Sequence, residues 1–468
     1  MLFPTLGFGL FFLGIYFVSW GLSASNEWRK IALLVASWFF YGAWDGRFVA
    51  LLIASAVVNW ALARGIAASD DARRRKALVT LGVVLNLGVL GWFKYAGFFT
   101  EQLAGLLTLI GLQRDVPLLT ALLPVGISFF TFQAISYLVD VHRGKVPAAG
   151  LLDLTLLMSF FPHLVAGPIV RASDLLPQFA NSPRADRGRA AAGLLLIVWG
   201  LFKKAVIASE LATALVDPAF FDPASRSSFD LLIGAYGYAV QIFCDFSAYT
   251  DMAIGIAALL GYTFPRNFDQ PYRARSLQDF WRRWHISLSS WLRDYLYIPL
   301  GGGRGSRWFA ARNLMITMLL GGLWHGASFN FIIWGAWHGA VQSVERVWRD
   351  RKPAWWRPIP AWAGVALTFH IVLFGWIFFR APTLPEATTY LAGLFTTDWR
   401  NTLVTPLSLA LVMLGIGINF LPVGWLRRLA ERERHWPAWA VGLALGVTIL
   451  VIDTMRPAGV APFIYYKF

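Results

Sequence analysis

The run Leu6-Gly-Phe-Gly-Leu-Phe-Phe-Leu-Gly-Ile-Tyr-Phe-Val-Ser-Trp-Gly-Leu22 contains no charged side chain. A membrane-spanning helix needs about 20 mostly apolar residues, and this stretch nearly supplies them. Met1–Leu22 lacks both a basic start and a small-residue cleavage site, so it reads as a first spanning helix that stays. Segments of the same kind recur at Ile31–Ala43, Phe48–Ala63, Ala77–Phe93, Leu118–Val139, Leu151–Ala166 and Ala190–Ile207. They continue at Leu231–Leu260, Leu314–Leu323, Phe329–Val347, Ala361–Phe379, Leu403–Leu421 and Ala438–Ile452. The expectation is roughly eleven to thirteen embedded helices, the shorter ones tilted, broken or re-entrant.

Composition agrees. Of 468 residues, 57% are hydrophobic, 16% aromatic and only 14% charged, against roughly 25% charged in a soluble domain. The mean hydropathy is +0.55. The 23 tryptophans suit membrane–water interfaces. A soluble enzyme, a disordered chain and a fibrous one are excluded. The expected fold class is an all-α polytopic membrane protein, with residues 1–468 forming a single transmembrane domain.

The net charge of +15 comes from 41 Lys and Arg against 26 Asp and Glu. In a soluble protein this would suggest nucleic acid. Here the cations cluster between apolar segments, in the linkers Arg64–Lys76, Ser343–Arg357 and Leu426–Arg434. That pattern sets membrane orientation and meets anionic headgroups, so the expected partner is the lipid bilayer and no nucleic acid. The single cysteine, Cys244, excludes an internal disulfide and a Cys-based zinc site.

Arg266–Arg312 departs from this grammar, with nine arginines against Asp269, Asp279 and Asp294. Ser276-Leu-Gln-Asp279 has the form of a capping box with Asp in place of Glu. Phe280, Trp284, Leu288, Trp291 and Tyr295 then fall on one helical face, so the spacing predicts one helix along the membrane surface or in a shallow re-entrant. Pro299 and Gly301-Gly302-Gly303 should end it. Arg282 and Arg293 lie on the opposite face. With Arg304 they are candidates to hold a phosphorylated ligand, against lipid headgroups as the alternative, because a guanidinium meets phosphate in a bidentate way.

An ionisable residue within an apolar segment is costly and is a functional candidate. His325, His338 and His370 qualify, and His285 borders the apolar stripe. His142 and His435 lie in polar loops, and His163 follows Pro162 near a helix end. Gly322-Leu-Trp-His-Gly326 is echoed by Gly335-Ala-Trp-His-Gly339. On one continuous helix the two histidines would point about 140° apart, so they share a cavity only if the helix is interrupted between them. Gly321-Gly322 favours His325, because it permits close approach and a break. Asp245 and Asp251, in an otherwise apolar run, are expected to stabilise an arginine of the basic segment, with a proton relay as the alternative. No His-x-x-x-His pair and no P-loop occur, so no metal site is expected.

Phe280-Trp-Arg-Arg-Trp-His-Ile-Ser-Leu-Ser-Ser-Trp-Leu-Arg-Asp-Tyr-Leu-Tyr297 resembles the membrane-bound O-acyltransferase (MBOAT) family. So do Arg312-Asn-Leu, Met318-Leu-Leu-Gly-Gly-Leu-Trp-His-Gly326, Leu123-Pro-Val-Gly-Ile-Ser128, Phe161-Pro-His-Leu-Val-Ala-Gly-Pro168 and Trp92-Phe-Lys-Tyr95. The resemblance implies a ring of tilted helices around a central tunnel. It implies acetyl transfer from a cytosolic donor such as acetyl-CoA, across a bacterial inner membrane, to an extracytoplasmic polysaccharide such as alginate. No permanently bound cofactor is implied; periplasmic acetyltransferases and polysaccharide export or synthase proteins are the implied partners. His325 matches the family's buried catalytic histidine, and His285 the second histidine of its bacterial branch. The aromatic tail Pro462-Phe-Ile-Tyr-Tyr-Lys-Phe468 offers a tyrosine as acyl relay, against an aromatic interfacial anchor, and its resemblance to tails in the family's bacterial branch puts Tyr465 ahead of Tyr466. Two other classes compete: a secondary transporter, suggested by glycine-broken helices near ionisable residues, and a non-catalytic scaffold for periplasmic enzymes.

Overall fold

The computed structural model describes residues 3–112, 122–351, 359–396, 398–433 and 436–457. The chain is helical, with no strand among the described residues. By its internal packing it divides into two compact units, Met1–Asp186 with Ala257–Pro265, and Arg187–Ile256 with Arg266–Phe468.

The first unit contains α1 (Leu6–Gly21), α2 (Asn26–Gly42), α3 (Arg47–Ala67), α4 (Ala72–Leu109), α5 (Ile127–His142) and α6 (Leu151–Ser159). Three of these starts follow from local chemistry: the Thr5 and Ser25 hydroxyls accept from backbone N–H groups in the first turns of α1 and α2, and the Asp71 carboxylate does so for α4. A buried arginine ties this unit together. Arg29 is fully buried, donating from Nε to the Ser19 carbonyl at 3.0 Å, from Nη1 to the Tyr262 hydroxyl at 3.0 Å, and from Nη2 to the Leu260 carbonyl. Its guanidinium also faces the Trp20 and Tyr262 rings, at 5.3 and 5.2 Å.

The second unit contains α7 (Arg187–Phe202), α8 (Ser228–Leu259, whose last residues count with the first unit), α9 (Leu277–Arg283), α10 (Ile286–Leu292), α11 (Arg307–His325), α12 (Phe329–Arg351) and α13 (Ala361–Arg380). Beyond α7 the chain stays helical to Phe221 through two wide π-helical stretches, Lys203–Ala208 and Ala212–Val216. Small residues let α7 and α8 touch backbone to backbone. A Cβ on Gly255 would sit 2.5 Å from the Gly193 carbonyl oxygen, and one on Gly200 would sit 2.7 Å from that of Ala248.

Among the described residues, five helices are long and apolar enough to cross a membrane: Arg47–Ala67, Ala72–Leu109, Arg187–Phe221, Ser228–Leu259 and Ala361–Arg380. The pair Pro406–Phe420 and Trp425–Arg432, bent by 81°, would make a sixth. The other apolar segments overlap helices that are shorter or carry polar groups, as α12 does with Asn330, His338, Gln342 and Glu345. Two basic linkers are corrected: Ser343–Arg351 is the end of α12, and Trp425–Glu433 is itself a helix.

The acids of α8 also find unexpected partners. Asp251 pairs with Lys203 at 2.7 Å and Asp245 with Lys204 at 2.8 Å, so the cations come from the helix packed alongside rather than from an arginine of Arg266–Arg312. The neighbouring helix already presents two lysines at the right depth, and a buried carboxylate takes the nearest cation.

Replacing Arg29 with Met should cost about 3 kcal/mol, since it strips a charged donor from three buried acceptors. The check is the thermal unfolding midpoint in detergent, which should fall. Gly255→Val should lower it too, and an unchanged midpoint would show that α7 and α8 can separate freely.

Candidate active site

The site is built from α9 to α12, all in the second unit. The Ser276 hydroxyl accepts from the Asp279 N–H at 3.1 Å and starts α9, as the capping pattern predicts. Glu345 of α12 adds a second cap, its carboxylate accepting from the N–H groups of Leu277 at 2.7 Å and Gln278 at 3.3 Å. The single helix expected over this stretch is then corrected. It stops at Arg283 and restarts at Ile286, and His285 between them is left-handed, with φ 43° and ψ 56°.

No glycine or proline marks this break, because its cause is tertiary. The segment Asn267–Asp269 lies against it and takes up the backbone groups that a continuous helix would have used. The Asp269 N–H donates to the Arg283 carbonyl at 2.9 Å, and the Ile286 N–H donates to the Asn267 carbonyl at 2.9 Å. The Ser287 N–H donates to the Asn267 Oδ1 at 3.0 Å. Phe280, Trp284, Leu288 and Trp291 are all buried, Phe280 on α9, Trp284 in the break, and Leu288 and Trp291 on α10.

His285 is fully buried, edge-on to Phe246 at 4.7 Å and 6.0 Å from the Trp324 ring. It lies outside the helices that qualify as spans. Burial pushes its imidazole down to about 3, so the ring is neutral at physiological pH.

His325 is the last residue of α11. The helix runs straight through Gly321-Gly322 and ends only at Gly326, so the glycines do not break it. They allow contact instead: a Cβ on Gly322 would fall 2.2 Å from the Phe331 carbonyl oxygen, and one on Gly335 2.4 Å from that of Met318. The chain turns over Gly326–Ser328 and α12 returns against α11. This is the interruption that both Trp-His-Gly motifs required, and it brings His325 and His338 to the same indole. Trp334 is edge-on to His325 at 5.1 Å and 4.7 Å from His338. Phe379 of α13 closes on His325 at 5.0 Å. Trp324 stands between His325, at 5.0 Å, and His285. His338 packs edge-on to Trp281 at 5.3 Å.

Trp281 also lines a cavity of about 360 Å³. Arg282 and Arg293 line it, with Arg346 and Arg349 from α12, while Met318 and Thr317 of α11 form part of its wall. His325 is two turns beyond Met318 on α11, and His338 one turn before Gln342 on α12, so both helices lead from the cavity toward the imidazoles. Arg282 makes no hydrogen bond or ion pair among the described residues. Arg293 is engaged with Asp294 at 2.7 Å. Arg346 donates to the Tyr297 hydroxyl at 3.1 Å and the Gly303 carbonyl at 3.2 Å, and Arg349 donates to Gln278 Oε1. Arg304 is exposed on the glycine turn and does not line the cavity.

Other described histidines have partners of their own. His370 accepts from Tyr236 at 2.6 Å, and His163 is bonded to Gln133 at 3.3 Å. His435 and Tyr465 lie outside the described residues. Arg346 and Arg349 escaped the sequence reading because they sit in what looked like a basic linker. Their i, i+3 spacing below an apolar helical face was the signal available. Lys203 and Lys204 were visible as adjacent cations inside an apolar run.

Residues 148–381 match the MBOAT, membrane-bound O-acyltransferase family. The chain is 44% identical over 394 residues to a protein of Azotobacter vinelandii named "Probable alginate O-acetylase AlgI", covering 83% of this chain and 76% of that one. It is 45% identical over 379 residues to the protein of the same name in Pseudomonas aeruginosa, covering 80% and 70%. A "Peptidoglycan O-acetyltransferase" of Helicobacter pylori is 37% identical over 410 residues, covering 82% and 76%. With its several span-length helices, the chain belongs to the membrane-bound O-acyltransferase family and is a multi-pass membrane O-acyltransferase.

Proposed function

We propose that this chain transfers acetyl from a cytosolic acetyl-CoA-type donor across a bacterial inner membrane, for O-acetylation of an extracytoplasmic polysaccharide such as alginate. The observation that carries this reading is the arginine-lined cavity beside the buried histidines, on the same helices. Its volume suits a small-molecule ligand, and Arg282 has a free guanidinium for phosphate. The names of the relatives support acetyl as the acyl group and a cell-envelope glycan as the acceptor.

In this reading the donor's phosphates bind at Arg282, Arg293, Arg346 and Arg349, and its thioester reaches toward His325. An acceptor hydroxyl attacks the thioester carbonyl. The new C–O bond forms as the C–S bond breaks, and the hydroxyl proton passes through an imidazole to the departing thiolate. His325 serves as the base, and His285 is the second catalytic imidazole. The aromatic walls limit water and so limit hydrolysis of the donor. Tyr465 takes the acetyl as a phenolic ester and hands it to a periplasmic acetyltransferase, which works beside the export or synthase machinery.

In proteoliposomes given labelled acetyl-CoA, acetyl should appear on the protein or on an external glycan acceptor, and absence of both would refute the assignment. His325→Ala should lower transfer by about 10²–10⁴-fold at normal folding, the usual contribution of a general base. Near-normal turnover would remove His325 from the mechanism. Arg282→Gln, which breaks no bond among the described residues, should raise the donor KM about ten-fold while kcat moves less than about two-fold, the signature of lost ground-state binding. For the relay, digestion after labelling should place acetyl on the C-terminal peptide and Tyr465→Phe should abolish it. Transfer surviving in that variant would leave the tail as an anchor.

A further inference from the structure

Asn267 is fully buried and meets His285 and its neighbours with both its backbone and its side chain. Its Oδ1 accepts from the Ser287 N–H at 3.0 Å, from the Ser287 hydroxyl at 2.9 Å, and from His285 Nδ1 at 3.2 Å. The orientation of the amide is settled by the first of these bonds. A backbone N–H can only donate, so the atom facing it must be the oxygen and not the NH₂. The NH₂ group points instead toward the Thr250 hydroxyl, at 3.5 Å.

The same logic carries on to the imidazole. An amide oxygen has no proton to give, so the nitrogen that bonds it must carry one. The Ser287 hydroxyl also lies 3.5 Å from Nδ1, but it gives its proton to the same Oδ1 at 2.9 Å and so can meet Nδ1 only as an acceptor. A neutral imidazole has a single N–H, which places the proton on Nδ1 and leaves the lone pair on Nε2. Nε2 is buried and has no partner among the described residues. The Phe246 and Trp324 rings limit rotation of the imidazole. The left-handed backbone at His285 is unfavourable for a residue other than glycine, so it persists only where neighbouring bonds hold it. The Asn267 carbonyl, bonded to the Ile286 N–H, is one of them.

We infer that Asn267 is a positioning residue for the transfer reaction: its side-chain amide holds His285 as the Nδ1–H tautomer, so that Nε2 is kept as the proton acceptor. This rests on the reading of His285 as a catalytic imidazole. Asn267 itself touches no reacting atom. It acts by deciding which nitrogen of the ring can take a proton, which is the task a carboxylate performs in many catalytic triads.

The test combines a spectroscopic and a kinetic readout on the full-length protein. Protein labelled with ¹⁵N-histidine is examined by NMR, and the His285 signals are assigned by their loss in His285→Ala. Wild type should show a single neutral Nδ1–H tautomer. So should Asn267→Asp, whose carboxylate likewise only accepts, and Asn267→Ala should lose this preference. With labelled acetyl-CoA, Asn267→Ala should lower kcat about 10²-fold while the donor KM changes less than about two-fold. Added to His285→Ala, it should lower the rate no further, since it acts only through that ring.

An Nε2–H tautomer in the wild-type protein overturns the proposal, and that spectrum needs no variant to fold. Near-normal kcat in folded Asn267→Ala also overturns it. So does a further loss in the double variant equal to that of Asn267→Ala alone, which would mark a structural role. Full activity in His285→Ala refutes the catalytic reading of His285, and with it any catalytic consequence of Asn267. The tautomer spectrum would still report the Asn267 contact separately, so the two failures are distinguishable.

Discussion

A peptide group taken out of water must find its partner inside the protein, and the break at His285 exists because Asn267 and Asp269 supply those partners. A helix interrupted in an apolar interior leaves several N–H and C=O groups orphaned, each costing as much as a lost hydrogen bond. Here the carbonyl of Arg283 and the N–H groups of Ile286 and Ser287 are all taken up by the segment that runs alongside. With the backbone satisfied, His285 can occupy a left-handed conformation and turn its ring into the aromatic core. Without that segment, the stretch from Leu277 to Leu292 would close into the plain helix its sequence describes, and the imidazole would lie on a different azimuth.

The α11–α12 hairpin depends on the same economy of space. Gly322 and Gly335 bring two helices into backbone contact, where any side chain would collide. The close approach places Trp334 against His325 on one side and His338 on the other. The two Trp-His-Gly motifs are thus one structural device seen from two helices. The imidazoles sit among aromatic rings, which suits acyl transfer: a dry site strengthens each polar contact within it and slows competing hydrolysis.

Charge is sorted by depth. Lys203 and Lys204 are buried and matched to Asp251 and Asp245, bracing the wide turns that follow α7 against α8. The cavity arginines are treated differently. Arg293 is bonded to an acid and Arg346 and Arg349 to neutral groups, while Arg282 has no bond among the described residues, so the cavity keeps an appetite for an anion. Glu345 does little to quench it, because its carboxylate is turned toward the first N–H groups of α9.

Much of this was legible in the residues themselves. Long apolar runs can only be helices where water is absent, so fold class and the positions of the main helices follow from composition and spacing alone. His325, Arg282 and Arg293 could be singled out because costly residue types in an apolar setting demand a reason. The rest needed contacts between distant parts of the chain. The break at His285 carries no local signal, since its cause lies in a segment sixteen or more residues earlier. Asn267 reads as an ordinary loop residue until its oxygen is seen to collect three donors. Arg346 and Arg349 look like headgroup ligands until α12 folds back on α9 and makes them part of the cavity wall. Periodicity and composition report what a residue costs to bury. Only the tertiary structure decides which partner makes that burial tolerable, because hydrogen bonds and ion pairs form between atoms that are near in space, whatever their separation along the chain.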